Sequence, residues 1–195
     1  TKSLKYDFAV KRGKPADVLP FWVADMDFEI PPELKQILLD RVNHGVFGYT
    51  ESDDEYVNVL KNWFSSRFNW SIEQEWLVKT PGVVFALAMA VRAFTKEGEG
   101  VLINQPVYYP FSMVIEDNNR RLINVPLIKG EERYTIDFEG IERAIVEANV
   151  TLFLLCNPHN PVGRVWTEDE LKRLGDICIK HNVLIVSDEI HADFV

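Results

Sequence analysis

A chain of 195 residues with 47% hydrophobic content is long enough for one sizeable domain, or for one domain with an appendage. Its 21 Lys and Arg stand against 30 Asp and Glu, a formal charge of −9 spread along the chain rather than gathered in runs, which argues against a nucleic-acid or anionic-membrane partner. No stretch reaches the roughly 18 apolar residues of a membrane span, and the opening Thr1-Lys2-Ser3-Leu4-Lys5 lacks the apolar run of a signal peptide, so the expected compartment is the cytoplasm.

Residues 1–45 differ from the rest. They carry Pro15, Pro20, Pro31 and Pro32, and an apolar patch, Phe21-Trp22-Val23-Ala24, that ends in Asp25-Met26-Asp27. This reads as an arm leading into a helix from Pro32 to about Asn43. From Ser52 the pattern becomes regular: Ser52 and Glu55 have capping-box spacing, and Val57, Leu60, Phe64 and Phe68 predict a helix with one buried face. A helix over Val84 to Thr95, a strand from Val101 to Asn104, a helix near Phe111 to Asp117 and a strand around Leu122 to Pro126 follow. Asp137 can cap a helix whose apolar positions are Phe138, Ile141 and Ile145, and the continuous apolar run Thr151 to Cys156 suits a strand buried on both faces. A second capping box, Thr167 with Glu170, opens a helix lined by Leu171, Leu174, Ile177 and Cys178, ahead of the strand Val183 to Ser187. This alternation predicts a mostly parallel sheet between two layers of helices, with no internal repeat. Cys156 and Cys178 lie in apolar runs without metal-site spacing and read as buried free thiols.

In such sheets ligands collect at the carboxyl ends of strands. Asn104-Gln105-Pro106-Val107-Tyr108-Tyr109, Asn157-Pro158-His159-Asn160-Pro161 and Asp188-Glu189-Ile190-His191 each follow a strand, so polar groups converge on one crevice. Asp188, directly after an apolar strand, needs a cation or several donors; a helix cap or a core ion pair would also satisfy it. Prolines stiffen the backbone around Asn160, whose side chain equally suits an Asx turn. Gly82 precedes a helix whose free amides form an anion site, a common arrangement and a weak signal alone. Tyr108 could cover a planar ring or simply pack. Neither GxGxxG nor GxxxxGK[ST] follows any strand, which speaks against a nucleotide-binding domain.

Taken together, Phe21-Trp22-Val23-Ala24-Asp25-Met26-Asp27-Phe28, Gly45-Val46-Phe47-Gly48-Tyr49, Pro106-Val107-Tyr108, Cys156-Asn157-Pro158-His159-Asn160-Pro161-Val162-Gly163-Arg164-Val165-Trp166 and Ser187-Asp188-Glu189-Ile190-His191-Ala192-Asp193 carry a resemblance. Along essentially its whole length the chain resembles fold-type I pyridoxal-phosphate (PLP) enzymes of the class I/II aminotransferase superfamily. It is most similar to their cystathionine β-lyase-like carbon–sulfur lyase branch.

That resemblance implies a three-layer α/β/α large domain like that of aspartate aminotransferase. Residues 1–45 would be an N-terminal arm and small-domain segment, and residues 46–195 the first part of the PLP-binding domain. Asp188 would pair with the protonated pyridine nitrogen, which lets the ring act as an electron sink. Asn160 would bond the ring's phenolic oxygen, with His191 placed where many aminotransferases keep a tyrosine for that atom. Tyr108 would stack on the ring, and the Val83 and Val84 amides after Gly82 would take the phosphate. Tyr49 would reach the phosphate of a neighbouring subunit's cofactor, which implies a homodimer. Ala24 falls where relatives offer a backbone amide near the substrate carboxylate, and Trp22 suits either the substrate pocket or an anchor for the arm. His159 and Arg164 are expected to serve the loop or the surface, and His181 to favour a helix dipole.

The family's Schiff-base lysine and its carboxylate-binding arginine have no counterpart among these residues, so the chain is expected to be the N-terminal part of a larger enzyme. The implied activity is α,β-elimination of cystathionine or a related S-substituted cysteine to thiol, pyruvate and ammonia. The same residues would serve an aminotransferase, and a non-catalytic binding module on the same fold is the reading from another class.

Overall fold

One buried lysine organises the arm. Lys5 is only 8% exposed; its Nζ donates to the Asp25 carbonyl at 3.0 Å and to Asp27 Oδ2 at 2.9 Å, and the Tyr6 hydroxyl donates to the same oxygen at 2.8 Å. The Lys5 and Tyr6 donors hold the Asp27 carboxyl below the usual carboxylate range. Between these anchors Val23 is held at φ 61°, a left-handed conformation that a β-branched residue rarely adopts. The computed structural model describes residues 2–195 and separates them after Ser52 into two units. The first also contains helix α1 (Pro32–His44), which starts on a proline at its first position and stops at Gly45 in the left-handed region.

The second unit opens with α2 (Asp54–Phe68). Asp53, not Ser52, caps it: Asp53 Oδ1 accepts from the amides of Glu55 at 3.1 Å and Tyr56 at 3.3 Å. A carboxylate at a helix start gains from the dipole as well as the hydrogen bonds, so it displaces the neighbouring hydroxyl and the helix begins one residue later than the Ser52 spacing implies. The expected buried face of α2 is only half-buried, with no residue of the helix fully covered; Phe64 meets the rings of Phe68 and Trp70 at 5.8 and 5.4 Å.

There follow α3 (Val83–Phe94), β1 (Gly100–Ile103), α4 (Pro110–Glu116), β2 (Arg121–Asn124), β3 (Ile128–Lys129), β4 (Tyr134–Thr135), α5 (Phe138–Ala148), β5 (Val150–Cys156), α6 (Glu168–Lys180) and β6 (Leu184–Asp188). Strands β2, β1, β5 and β6 form one sheet in that order, every pair parallel. The antiparallel pair β3–β4 escapes the sequence reading because two-residue strands carry no periodic signal. Asp137 caps α5 and Thr167 opens α6 with a complete capping box, both as the sequence predicts.

Two separate apolar clusters explain the layering. Val101 and Ile103 of β1, with Leu152, Leu154 and Cys156 of β5, face Leu87 and Val91 of α3 and Phe111, Val114 and Ile115 of α4. The alternate residues Leu102, Phe153 and Leu155 face Ile141 and Ile145 of α5 and Leu174 and Cys178 of α6. With side chains alternating across the strand, both faces of β1 and β5 are covered, as their unbroken apolar runs require. The two cysteines are free and buried on opposite faces. On the second face Glu142 accepts from Lys180 at 2.6 Å and His181 Nε2 at 2.8 Å, which lowers its carboxyl to about 2. His181 therefore has a partner as well as its place at the helix end. Among the described residues no helix is long and apolar enough to cross a membrane.

Candidate cofactor site

Because β1, β5 and β6 are adjacent and parallel, their carboxyl ends emerge side by side. Asp188 closes β6 opposite Cys156, and the amide of Asn157 donates to the Asp188 carbonyl at 3.0 Å, so the ladder continues one residue past β5. The Asp188 carboxylate is 7% exposed. Its Oδ1 accepts one hydrogen bond, from the Ile190 amide at 3.1 Å, and among the described residues no cation forms an ion pair with it. Burial pushes this carboxyl above the usual range, against the smaller pull of the Ile190 amide and the nearby His191. A half-satisfied buried carboxylate is unstable as an anion unless a cationic donor meets it. Among the described residues Asp188 forms neither a core ion pair nor a helix cap; the Ile190 contact is a turn.

The loop after β5 is locked by residues that the sequence reading assigned to the loop or the surface. His159 and Arg164 are buried, at 3% and 9% exposure, and face each other across an antiparallel bridge in which the His159 amide donates to the Arg164 carbonyl at 2.6 Å. The Arg164 guanidinium lies 4.6 Å from the Trp166 ring centre, donates to Glu170 Oε2 at 2.7 Å and also bonds the Tyr134 carbonyl. Both residues therefore hold the loop from within and not at the surface. Within it Asn160 is half-buried; its backbone amide points at Cys156 Sγ, 3.4 Å away, and its side-chain amide makes no hydrogen bond among the described residues. The Asx-turn alternative thus has no support, and the Asn160 amide is left available.

Gly82 precedes α3 at φ 154°, ψ 163°, a backbone region essentially confined to glycine, with open space where a Cβ would stand. No side chain caps this helix and no acidic residue occupies its first turn, so its leading amides, including those of Val83 and Val84, remain available to an anion. Tyr108 follows β1, is 38% exposed and packs on Tyr109 with ring centres 5.2 Å apart. His191 is half-buried beside Phe194, just after Asp188. A cleft of about 450 Å³ lined by Arg67, Asn157, Pro158, Glu189 and Ala192, among others, opens beside these strand ends but includes neither Asp188 nor Asn160. Trp22, Ala24 and Tyr49 belong to the first unit: the Arg12 guanidinium lies 5.3 Å from the Trp22 ring centre, and Ala24 and Tyr49 are exposed.

An acid needing a cationic donor, a free amide and an uncapped glycine-led helix start are what a protonated pyridine ring with a phenolic oxygen and a phosphate would use. The aminotransferase class I and II family matches residues 16–195. The chain belongs to that family. Cystathionine beta-lyase PatB of Bacillus subtilis (strain 168) is 44% identical to this aminotransferase-family chain over 195 residues, 100% of the chain and 50% of PatB. Cystalysin from Treponema denticola, whose crystal structure contains pyridoxal 5'-phosphate, is 43% identical with a TM-score of 0.90, covering 98% of this chain and 49% of that one. The PLP-bound C-S lyase from Staphylococcus hominis is 34% identical with a TM-score of 0.89, covering 99% and 50%. The chain spans about half the length of the curated relatives it matches. Its parallel sheet and flanking helices are those of the PLP-bound structures.

Proposed function

We propose that the protein carrying this chain is a PLP-dependent carbon–sulfur β-lyase, cleaving cystathionine or a related S-substituted cysteine to a thiol, pyruvate and ammonia. Asp188 carries the reading: a buried carboxylate without a cation, at the end of β6, is a ready partner for a protonated pyridine nitrogen. When bound, PLP supplies a ring that takes up negative charge developing at the substrate's α-carbon. The chain's own residues bind and orient that ring. Asp188 keeps its nitrogen protonated, Asn160 donates its free amide to the phenolic oxygen with His191 beside it, Tyr108 covers one face, and the amides of Val83 and Val84 after Gly82 hold the phosphate. Ala24 and Trp22 would face the substrate. Tyr49 would serve the cofactor of a second subunit; its full exposure, and an α1 with no buried residue although Leu34, Ile37, Leu38 and Val42 lie on it, suit a homodimer. A cytoplasmic setting fits such an enzyme.

No lysine of the described residues lies in the loops directly after β1, β5 or β6, so the proton-transferring base is not assigned within residues 2–195. The choice of elimination over amino transfer rests on the names of the relatives, cystathionine beta-lyase and C-S lyase. Incubating the full-length protein with cystathionine, with and without a 2-oxo acid, tests it. Pyruvate and thiol should form at the same rate in both; amino transfer without pyruvate would overturn the lyase reading.

The glycine before α3 gives a second measurable outcome. Gly82→Ala forces a side chain into φ 154° and should cost about 1–3 kcal/mol, shared between fold and phosphate site. A PLP titration of the full-length variant should show affinity lowered several-fold or more, by the share of that energy that falls on the phosphate site. Unchanged affinity would remove the α3 start from the cofactor site.

A further inference from the structure

Among the described buried titratable groups that the proposed chemistry does not use, His159 is the one with a side-chain polar atom left without a hydrogen-bond partner. Its ring is 3% exposed, yet it is not fully satisfied: Nδ1 has no hydrogen-bond partner, and Nε2 lies 3.0 Å from the carbonyl oxygen of Pro106. A carbonyl only accepts, so Nε2 carries the proton and donates. The ring is otherwise held by apolar contact, edge-on to Trp166 at 5.3 Å and 75°. Trp166 is itself pinned, its indole N–H to the Cys156 carbonyl at 3.0 Å and its amide to Asn157 Oδ1 at 3.1 Å.

Filling this space does not call for a histidine. A phenyl ring would occupy much the same volume and leave no buried polar atom without a partner, a deficiency with a real energetic cost. What the imidazole adds is a donor that crosses from the β5 loop to the β1 loop, 53 residues away in the chain. Pro106 stands two residues before Tyr108, and His159 stands immediately before Asn160.

We infer that His159 is a positioning residue whose Nε2–H fixes the Tyr108 loop against the Asn160 loop, setting the gap between the group that covers the cofactor ring and the group that bonds its phenolic oxygen. Burial lowers the ring's proton affinity, against the raising effect of the Pro106, Cys156 and Asn104 backbone around it, which favours the neutral form that this contact uses. The inference rests on the cofactor reading proposed above.

The test titrates PLP into the cofactor-free full-length protein, wild type beside His159→Leu and His159→Gln, with the melting temperature of each cofactor-free form measured in parallel. Leucine removes the donor, and PLP should bind about tenfold more weakly; glutamine can again reach Pro106 with an N–H and should recover to within about threefold of wild type. Should the leucine variant not fold, His159→Asn, polar but too short to span the gap, takes its place and should weaken PLP binding by the same factor. If the donor-less variant lowers only the melting temperature and binds PLP as wild type does, or if glutamine fails to restore affinity, the positioning role is overturned while the cofactor reading stands. Wild-type protein that takes up no PLP overturns both.

Discussion

Asp188→Asn is expected to remove nearly all turnover while leaving the cofactor-free protein as stable as before, or more stable. The carboxylate is 7% exposed and accepts one backbone hydrogen bond, so its charge is nearly unsupported until a cationic donor arrives. Its folded-state proton affinity is raised by burial. A carboxyl raised in the folded state adds stability below its unfolded value of about 3.9, and that contribution is lost as pH rises through the folded value. As pH rises the cofactor-free wild type therefore loses that contribution, and the Asp188→Asn variant, which carries no charge there at any pH, does not. With cofactor bound the balance reverses. Breaking a buried charge pair costs about 3–5 kcal/mol, so catalysis should fall on the order of 10²–10⁴-fold. Melting curves of the cofactor-free proteins across pH 4 to 8 and kcat of the loaded ones are the measurements. Activity within tenfold of wild type, or a cofactor-free variant melting several degrees lower at pH 7, would show that Asp188 is a structural acid.

Arg164→Met should have the largest effect on stability. Its guanidinium side chain, 10% exposed, bonds the Tyr134 carbonyl and the Glu170 carboxylate and covers the Trp166 ring. Methionine would keep part of the packing but leave the carbonyl and the carboxylate, itself 19% exposed, without a donor in place. Removing one partner of such a pair costs about 3 kcal/mol or more. Burial alone would raise the Glu170 carboxyl, but the Thr167 amide and the Arg164 guanidinium outweigh it and hold it below the usual carboxylate range. A carboxyl depressed in the folded state stabilises above its unfolded value, near 4.3, and loses that contribution as pH falls through the folded value. The gap in melting temperature between wild type and Arg164→Met should therefore be wide at pH 7 and shrink toward pH 3. A gap that does not change with pH would assign the loss to packing on Trp166 rather than to the ion pair. The damage should spread to the cofactor loop, because the Arg164 backbone carbonyl is what His159 bonds.

The alternating apolar segments made the layered sheet legible without coordinates. Thr151 to Cys156 reads as a strand covered on both sides, and Thr167 with Glu170 as a helix start, since both signals are local: a run of side chains, and a hydroxyl three residues from a carboxylate. Local competition is also where the reading slipped, at Ser52 against Asp53, because spacing alone does not weigh a hydroxyl against a carboxylate at a helix start. The motif around Asn160 and Asp188 pointed to a cofactor through the family resemblance, since by residue type and position alone each side chain equally suited a turn, a helix cap or an ion pair.

The sequence by itself thus determined the strands of the parallel sheet, most of the helix starts and the family. Only the tertiary structure decided what surrounds the polar groups. Among the described residues it left Asp188 without a cation and the Asn160 side chain without a partner. It buried Arg164 under Tyr134 and against Glu170, and it turned His159 toward Pro106. These contacts join residues separated by as many as 53 positions, and their energies depend on how much water folding removes, which no local pattern of residues records.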